Sequence, residues 1–302
     1  MQSIDPAILD TLAFSGLDEA TFRTRALSSR PDLGLYEHDL SFIRHRVTGR
    51  DAAKPTLAII PDGPATIESY DGFIEVLEDR FNIALLKLPG FGFSYPKQGA
   101  AMGFEESCQI LAAALTSLDL SKVILVGPCA QGLYAARMSE IMGDSLAGLI
   151  IAQTGDFAEE GKWVNAVLGG AVLAKPFEGQ IGFRLSREKT SIGYWIPFAA
   201  GPDAPVAMLQ EEARKVQHAG CCYALASQIQ KLADGTVREP KVTIPAAIIW
   251  GLADKSHAHT DRKSIIRYAP DAQYIEWDGI GHFTDIEAPE KLAEVALSLL
   301  TY

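Results

Sequence analysis

Three residues capable of joint nucleophilic chemistry occur in the order Cys129, Asp254, His282. A thiol attacks carbonyl carbon strongly once an imidazole takes its proton, and a carboxylate fixes the tautomer of that imidazole and steadies its charged form. The run Val123-Ile124-Leu125-Val126 reads as a buried strand. It leads into Gly127-Pro128-Cys129-Ala130-Gln131-Gly132 and then into a helical pattern from Leu133. A tight turn between strand and helix would expose its central residue at the carboxyl end of a sheet, facing the N–H groups and dipole of the helix. There a thiol pKa is expected to fall, and an oxyanion formed on attack to be held. The resulting thioester would be open to amines and thiols as well as water.

His282 lies in Ile280-Gly281-His282-Phe283, just after the last expected strand. Asp254 ends Gly251-Leu252-Ala253-Asp254, just after the strand that closes on Trp250. Both loops are expected at the sheet edge that carries Cys129. His38, His45 and His218 read as ordinary surface or core histidines. His257 and His259 share one loop, too few ligands for a metal site; no metal and no cofactor is expected. Cys108, Cys221 and Cys222 read as small buried hydrophobes, and Asp261 as a solvated loop charge.

The elements that must position these groups follow an α/β rhythm. Leu35–Val47 alternates as a bent strand or hairpin. Apolar runs at Leu57–Ile60, Ile83–Leu88, Val123–Val126 and Leu149–Ala152 fit buried parallel strands. Helical patterns at Tyr70–Glu78, Phe104–Leu118 and Leu133–Met142 separate them, which predicts a mostly parallel sheet flanked by helices. The rhythm stops after Gln153 and resumes with strands Ala246–Trp250 and Gln273–Trp277 and a helix from Pro289 to Leu300. Residues 1–155 and 241–302 are therefore expected to form one core, and 156–240 a helical cap. Of the cap aromatics, Trp163, Phe177, Tyr194 and Trp195 are the pocket candidates.

The chain has 302 residues, 48% of them hydrophobic, and a net charge of −11. Scattered Lys and Arg argue against a nucleic-acid or anionic-lipid footprint. No run reaches the ~20 apolar residues of a membrane span. The N-terminal stretch has mixed charges and helical spacing rather than the form of a secretory signal, so a cytoplasmic protein is expected.

The chain resembles the α/β-hydrolase fold superfamily over nearly its whole length. Ile244-Pro245-Ala246-Ala247-Ile248-Ile249-Trp250-Gly251-Leu252-Ala253-Asp254 is similar to its IPxLxxWGxxD segment. Gly279-Ile280-Gly281-His282-Phe283, with Glu287 and Pro289, is similar to GxGHFxxxExP, and Leu88-Pro89-Gly90-Phe91-Gly92-Phe93-Ser94 to LPGFGxS. The resemblance implies a Cys129–His282–Asp254 triad. Pro61-Asp62-Gly63-Pro64 aligns with HGxP, which makes the N–H groups of Gly63 and Ala130 the oxyanion donors. A shifted alignment would put Pro64, which has no N–H, in that role. Some relatives carry the acid where Asp156 stands. The departures are cysteine for serine, Gln131 for the usual turn glycine, and Pro128 before the nucleophile; the cysteine is similar to that of dienelactone hydrolases. The resemblance implies a hydrolase or acyltransferase acting on a small-molecule ester, thioester or lactone, free or carrier-bound. The alternatives are a lyase or cyclase on the same scaffold, or a catalytically silent binding protein.

Overall fold

A computed structural model describes residues 19–27, 30–94, 97, 102–167, 169–216, 224–232 and 237–301. Cys221, Cys222, His218 and most of the N-terminal helical stretch lie outside these residues. Helix α1 (Glu19–Leu27) precedes the hairpin β1 (Leu33–Glu37) and β2 (Phe42–Thr48). Then come β3 (Thr56–Ile59), α2 (Asp71–Leu77), β4 (Asn82–Leu86), α3 (Phe104–Ser117), β5 (Val123–Pro128), α4 (Gln131–Met142) and β6 (Leu146–Ala152). The chain closes with β7 (Ala246–Gly251), β8 (Gln273–Trp277) and a final helix (Pro289–Leu299).

Among the described residues eight strands form one sheet in the order β1-β2-β4-β3-β5-β6-β7-β8. Only the pairings made by β2 are antiparallel. Alternation along each strand divides the core between the two faces. On one face Val123 and Leu125 join Ala58, Ile151, Ile248 and Trp250 beneath Phe104, Leu111 and Leu133 of α3 and α4. On the other Ile124 and Val126 join Leu57, Ile59, Ile150 and Ile249 beneath Phe73 and Leu77 of α2 and Leu292 and Leu299 of the last helix. Burial on both faces is why these strands read as unbroken apolar runs. Cys108 is fully buried in the first face, as expected of a small hydrophobe, with its thiol toward the Tyr134 carbonyl.

β3 pairs with β4 on one side and β5 on the other. The chain leaves β3 toward β4 on one side and β5 toward β6 on the other, and the crevice between the carboxyl ends of β3 and β5 is where open α/β sheets take ligands. The loop after β3 carries Asp62, and the turn after β5 carries Cys129.

Between β6 and β7 the described residues contain helices and no strand. The longer ones are α5 (Phe157–Val167), α6 (Glu178–Arg187), α7 (Val206–Val216) and α8 (Ala224–Leu232). A π-helical stretch at Glu188–Trp195 continues α6 and brings Trp195 over the sheet edge. No helix of the described residues is long and apolar enough to cross a membrane.

Candidate active site

Cys129 has φ +54°, the left-handed conformation that a non-glycine residue adopts only when its surroundings impose it. Here the constraint comes from both sides of the turn. The Cys129 N–H donates to the Ala152 carbonyl at 2.8 Å, while the Cys129 carbonyl accepts from Gly132 N–H at 2.8 Å and Thr154 Oγ1 at 2.7 Å. The tight packing falls on Gly127 and Gly132. A Cβ on Gly132 would lie 2.2 Å from Thr154 Oγ1, and one on Gly127 would lie 2.5 Å from the Gln131 carbonyl. Gln131 can therefore replace the usual turn glycine, its side chain turning into the interior with Oε1 unpartnered.

The sequence-assigned acid and base meet. His282 Nδ1 lies 2.7 Å from Asp254 Oδ2. The two loops are laced together where Ala253 N–H donates to the Ile280 carbonyl at 2.8 Å. Glu287 accepts from Gly281 N–H at 2.7 Å and Phe283 N–H at 3.2 Å, which clamps the histidine from both sides. Gly281 is pressed on the chain at 199–201: a Cβ there would come within 2.1 Å of Gly201 N. Asp254 also receives Gln153 Nε2 at 2.9 Å and the N–H and hydroxyl of Ser256 at 2.7 and 2.6 Å. Burial opposes its charge, yet His282 and these donors hold its carboxyl down at about 2. Asp156, the other acid considered, instead caps α5 through Glu159 N–H at 2.9 Å and faces Arg267 at 3.4 Å.

Asp62 changes the expected chemistry. Its Oδ1 accepts the Gly63 N–H at 2.6 Å, so Gly63 does not offer a free oxyanion donor in this arrangement. Its Oδ2 stands 3.5 Å from His282 Nε2, too long for a hydrogen bond but close for two charges. Asp62, Cys129 and His282 bring their ligand atoms within 4.8 Å of one another. The Ala130 N–H makes no hydrogen bond among the described residues, as the proposed hole requires. The expectation of a lowered thiol pKa is reversed: burial and the nearby Asp62 charge push Cys129 up to about 12, against the opposing pull of His282. Burial disfavours the charged His282 ring, but Cys129 and the Asp254 carboxylate outweigh it and hold the ring well above its ordinary value.

His257, set aside in the sequence as one of two ligands too few for a metal, packs against the site. Its ring stacks on Trp163 at 4.7 Å and on His282 at 5.4 Å. Burial drives it down to about 3, with the His282 charge acting the same way and Asp254 opposing, so it packs as a neutral ring. Its ligand nitrogen joins those of Asp254 and His282 within 4.8 Å, but the direct 2.7 Å His282–Asp254 contact leaves no room for an ion between them.

A cavity of about 170 Å³ opens beside Cys129, walled by Trp163 and Trp195 with Asp62, Gln131, Glu160, Phe91 and Phe183. Phe177 and Tyr194 are not on its wall, which corrects the sequence expectation for both. Phe177 is 39% exposed at the start of α6. Tyr194 is 60% exposed on the outer side of the π-helical stretch, stacked on Phe198 at 5.4 Å. Glu160, missed in the sequence, is buried with Oε1 accepting Gly155 N–H at 2.7 Å. Burial raises its carboxyl to about 8.

No family model matches the chain. A stretch of 67 residues is 39% identical to "Putative hydrolase LipZ" of Mycobacterium tuberculosis, and the match spans 22% of this chain and 22% of that protein. Likeness to solved structures is far more extensive. One described as a "putative epoxide hydrolase" from Pseudomonas aeruginosa has a TM-score of 0.74 at 15% identity, covering 89% of this chain and 95% of that one. ALR0039 of Nostoc sp PCC 7120, a "putative alpha/beta hydrolase", gives 0.72 at 16% identity, covering 89% and 98%. Est816, described as an "N-Acyl homoserine lactone degrading enzyme", gives 0.65 at 14% identity, covering 88% and 99%. Likeness this broad at such low identity speaks to architecture, and the architecture is that of the α/β-hydrolase fold.

Proposed function

We propose that this chain is a cysteine-dependent hydrolase or acyltransferase that opens a small ester, thioester or lactone through Cys129, His282 and Asp254. The observation that carries the reading is the strained Cys129 backbone, at φ +54°, beside a His282 that Asp254 fixes at 2.7 Å. The constrained turn and laced loops keep Cys129 Sγ within 4.8 Å of a His282 ring nitrogen, which supports a reading as nucleophile and base.

In the proposed cycle the bound acyl group draws Asp62 away from His282 Nε2. That movement frees His282 as the base for Cys129 and releases Gly63 N–H to join Ala130 N–H around the oxyanion. Cys129 sulfur bonds the carbonyl carbon, the leaving group departs with the proton from His282, and water or another acceptor then takes the acyl group with His282 as base. Residues 156–240 act as the cap over this chemistry, and no cofactor or metal enters the cycle. A cytoplasmic location and a small-molecule or carrier-bound acyl partner belong to the same reading.

Cys129→Ala and His282→Ala should each abolish turnover of activated acyl esters while leaving the far-ultraviolet circular dichroism unchanged. Wild-type activity in either variant would remove that residue from the mechanism. With an added amine or thiol acceptor, wild type should give transferred product, whereas free acid alone would reduce the proposal to a hydrolase.

A second reading is favoured by one specific observation. Asp62 closes the oxyanion site and the thiol is held neutral, an arrangement that suits proton transfer by Asp62 and His282 in a lyase or cyclase. That reading requires full activity in Cys129→Ala.

A further inference from the structure

Several buried polar atoms that lack a hydrogen-bond partner belong to residues walling the cavity beside Cys129. They are Asp62 Oδ2, Gln131 Oε1, Glu160 Oε2, Trp163 Nε1, Trp195 Nε1 and Gln228 Nε2. Buried polar groups are ordinarily paired, so such a concentration around one space marks groups kept for a ligand. Three of these atoms are oxygens, two on carboxyl groups, and three are N–H donors suited to an acyl oxygen; among the described residues no Lys or Arg lines the cavity. Glu160 is 4% exposed and Gln131 1%, so bulk water does not compensate them. The remaining wall is aromatic, with Trp163 and Trp195 meeting edge to face at 6.1 Å.

We infer that the cavity is a subsite for a small ammonium-bearing acyl substrate, its amine held by the Glu160 and Asp62 carboxyl groups against the tryptophan rings. Three lines of chemistry converge on this class. A primary ammonium has three N–H donors and no acceptor, and so complements unpartnered oxygens. The faces of Trp163 and Trp195 favour a positive ligand over an anionic one. At about 170 Å³ the space is close to an engineered cavity of ~150 Å³ that holds benzene, so the acyl chain is short. An ammonium would also give Asp62 a partner other than His282. The acyl part of this inference rests on the proposed role of Cys129; the ammonium part does not.

The groups facing Glu160 are His282 and Asp62, with Asp156 at the start of its own helix and the Gly155 N–H on Oε1. Burial keeps its carboxyl protonated at neutral pH, so uptake of an ammonium there should expel a proton.

The test is calorimetric titration of n-butylamine, n-butanol and butyrate into wild type, Glu160→Gln and Cys129→Ala, at pH 7 in two buffers of different ionisation heat. Wild type should bind butylamine at least tenfold more tightly than butanol, should not bind butyrate, and should release a proton with the amine. Glu160→Gln should lose both the amine preference and the proton release while still binding butanol. Equal binding of butyrate and butylamine, no binding of butylamine, or an unchanged amine preference in Glu160→Gln would each overturn the inference. Cys129→Ala should keep the preference, because this binding needs no thiol chemistry. The subsite and the nucleophile can therefore fail separately.

Discussion

Replacing Asp62 by Asn removes one negative charge while keeping an oxygen for the Gly63 N–H. The charge sits 3.5 Å from His282 Nε2, with Cys129 Sγ within 4.8 Å. At an effective dielectric of about 20, two unit charges at that outer distance interact by roughly 3 kcal/mol. At about 1.4 kcal/mol per pKa unit this is about two units, which would bring the thiol from about 12 to roughly 10. The thiolate fraction at pH 8 then rises about 100-fold. A less basic thiolate is also a weaker nucleophile, with a Brønsted slope of about 0.45, which returns roughly a factor of ten. The expected net effect is about a tenfold faster alkylation of Cys129 by iodoacetamide at pH 8, read by intact mass, and a lower midpoint for the rate across pH. An unchanged or slower rate in a variant that melts like wild type would refute the electrostatic coupling of Asp62 to the thiol.

Asp254→Asn should lose on the order of 10⁴ in acyl-ester turnover, because the neutral amide neither fixes nor balances the His282 ring; activity within tenfold of wild type would exclude it as the acid. Gly281→Ala should cut turnover severely and lower the melting temperature, since the added Cβ meets the backbone at 199–201, where nothing flexible can yield. For Glu160 the folded carboxyl titrates near 8, above its unfolded value. Its contribution to stability is therefore fully present below about pH 4.5 and is lost as pH rises through 8. Melting curves should show Glu160→Gln gaining on wild type between pH 5 and 8.5, and a constant difference over that range would contradict the buried carboxyl.

The parallel strands were legible because burial on both faces leaves continuous apolar runs such as Ile124 with Leu125, and helices between them force a crossover topology. Cys129, Asp254 and His282 were legible because each follows a strand end, where chain order alone brings loops to one edge. What the sequence hid depends on rotamers and on packing between distant segments. Asp62 was visible only as a motif position; its side chain turning back on Gly63 N–H and toward His282 has no sequence signature. The helix start at Ala130 argued for an acidic thiol, but burial and Asp62 act more strongly on Cys129 than the helix. Glu160 was not singled out in the sequence, because its burial depends on which face of α5 packs inward. Phe177 and Tyr194 were drawn to the pocket by residue type, while the π-helical stretch turns Trp195 inward and leaves Tyr194 outside. Gln153 and His257, which hold Asp254 and stack on His282, are ordinary residue types that only contact makes significant.

The central claim is that Cys129 carries the acyl group. Its most direct test is rapid quenching of the protein with an activated acyl ester, followed by intact mass and peptide mapping. The account predicts one acyl group per chain, on the Cys129 thiol, labile to hydroxylamine and absent in Cys129→Ala and His282→Ala. Turnover of the same ester by wild type with no acyl group on Cys129, and with full activity retained in Cys129→Ala, would contradict it.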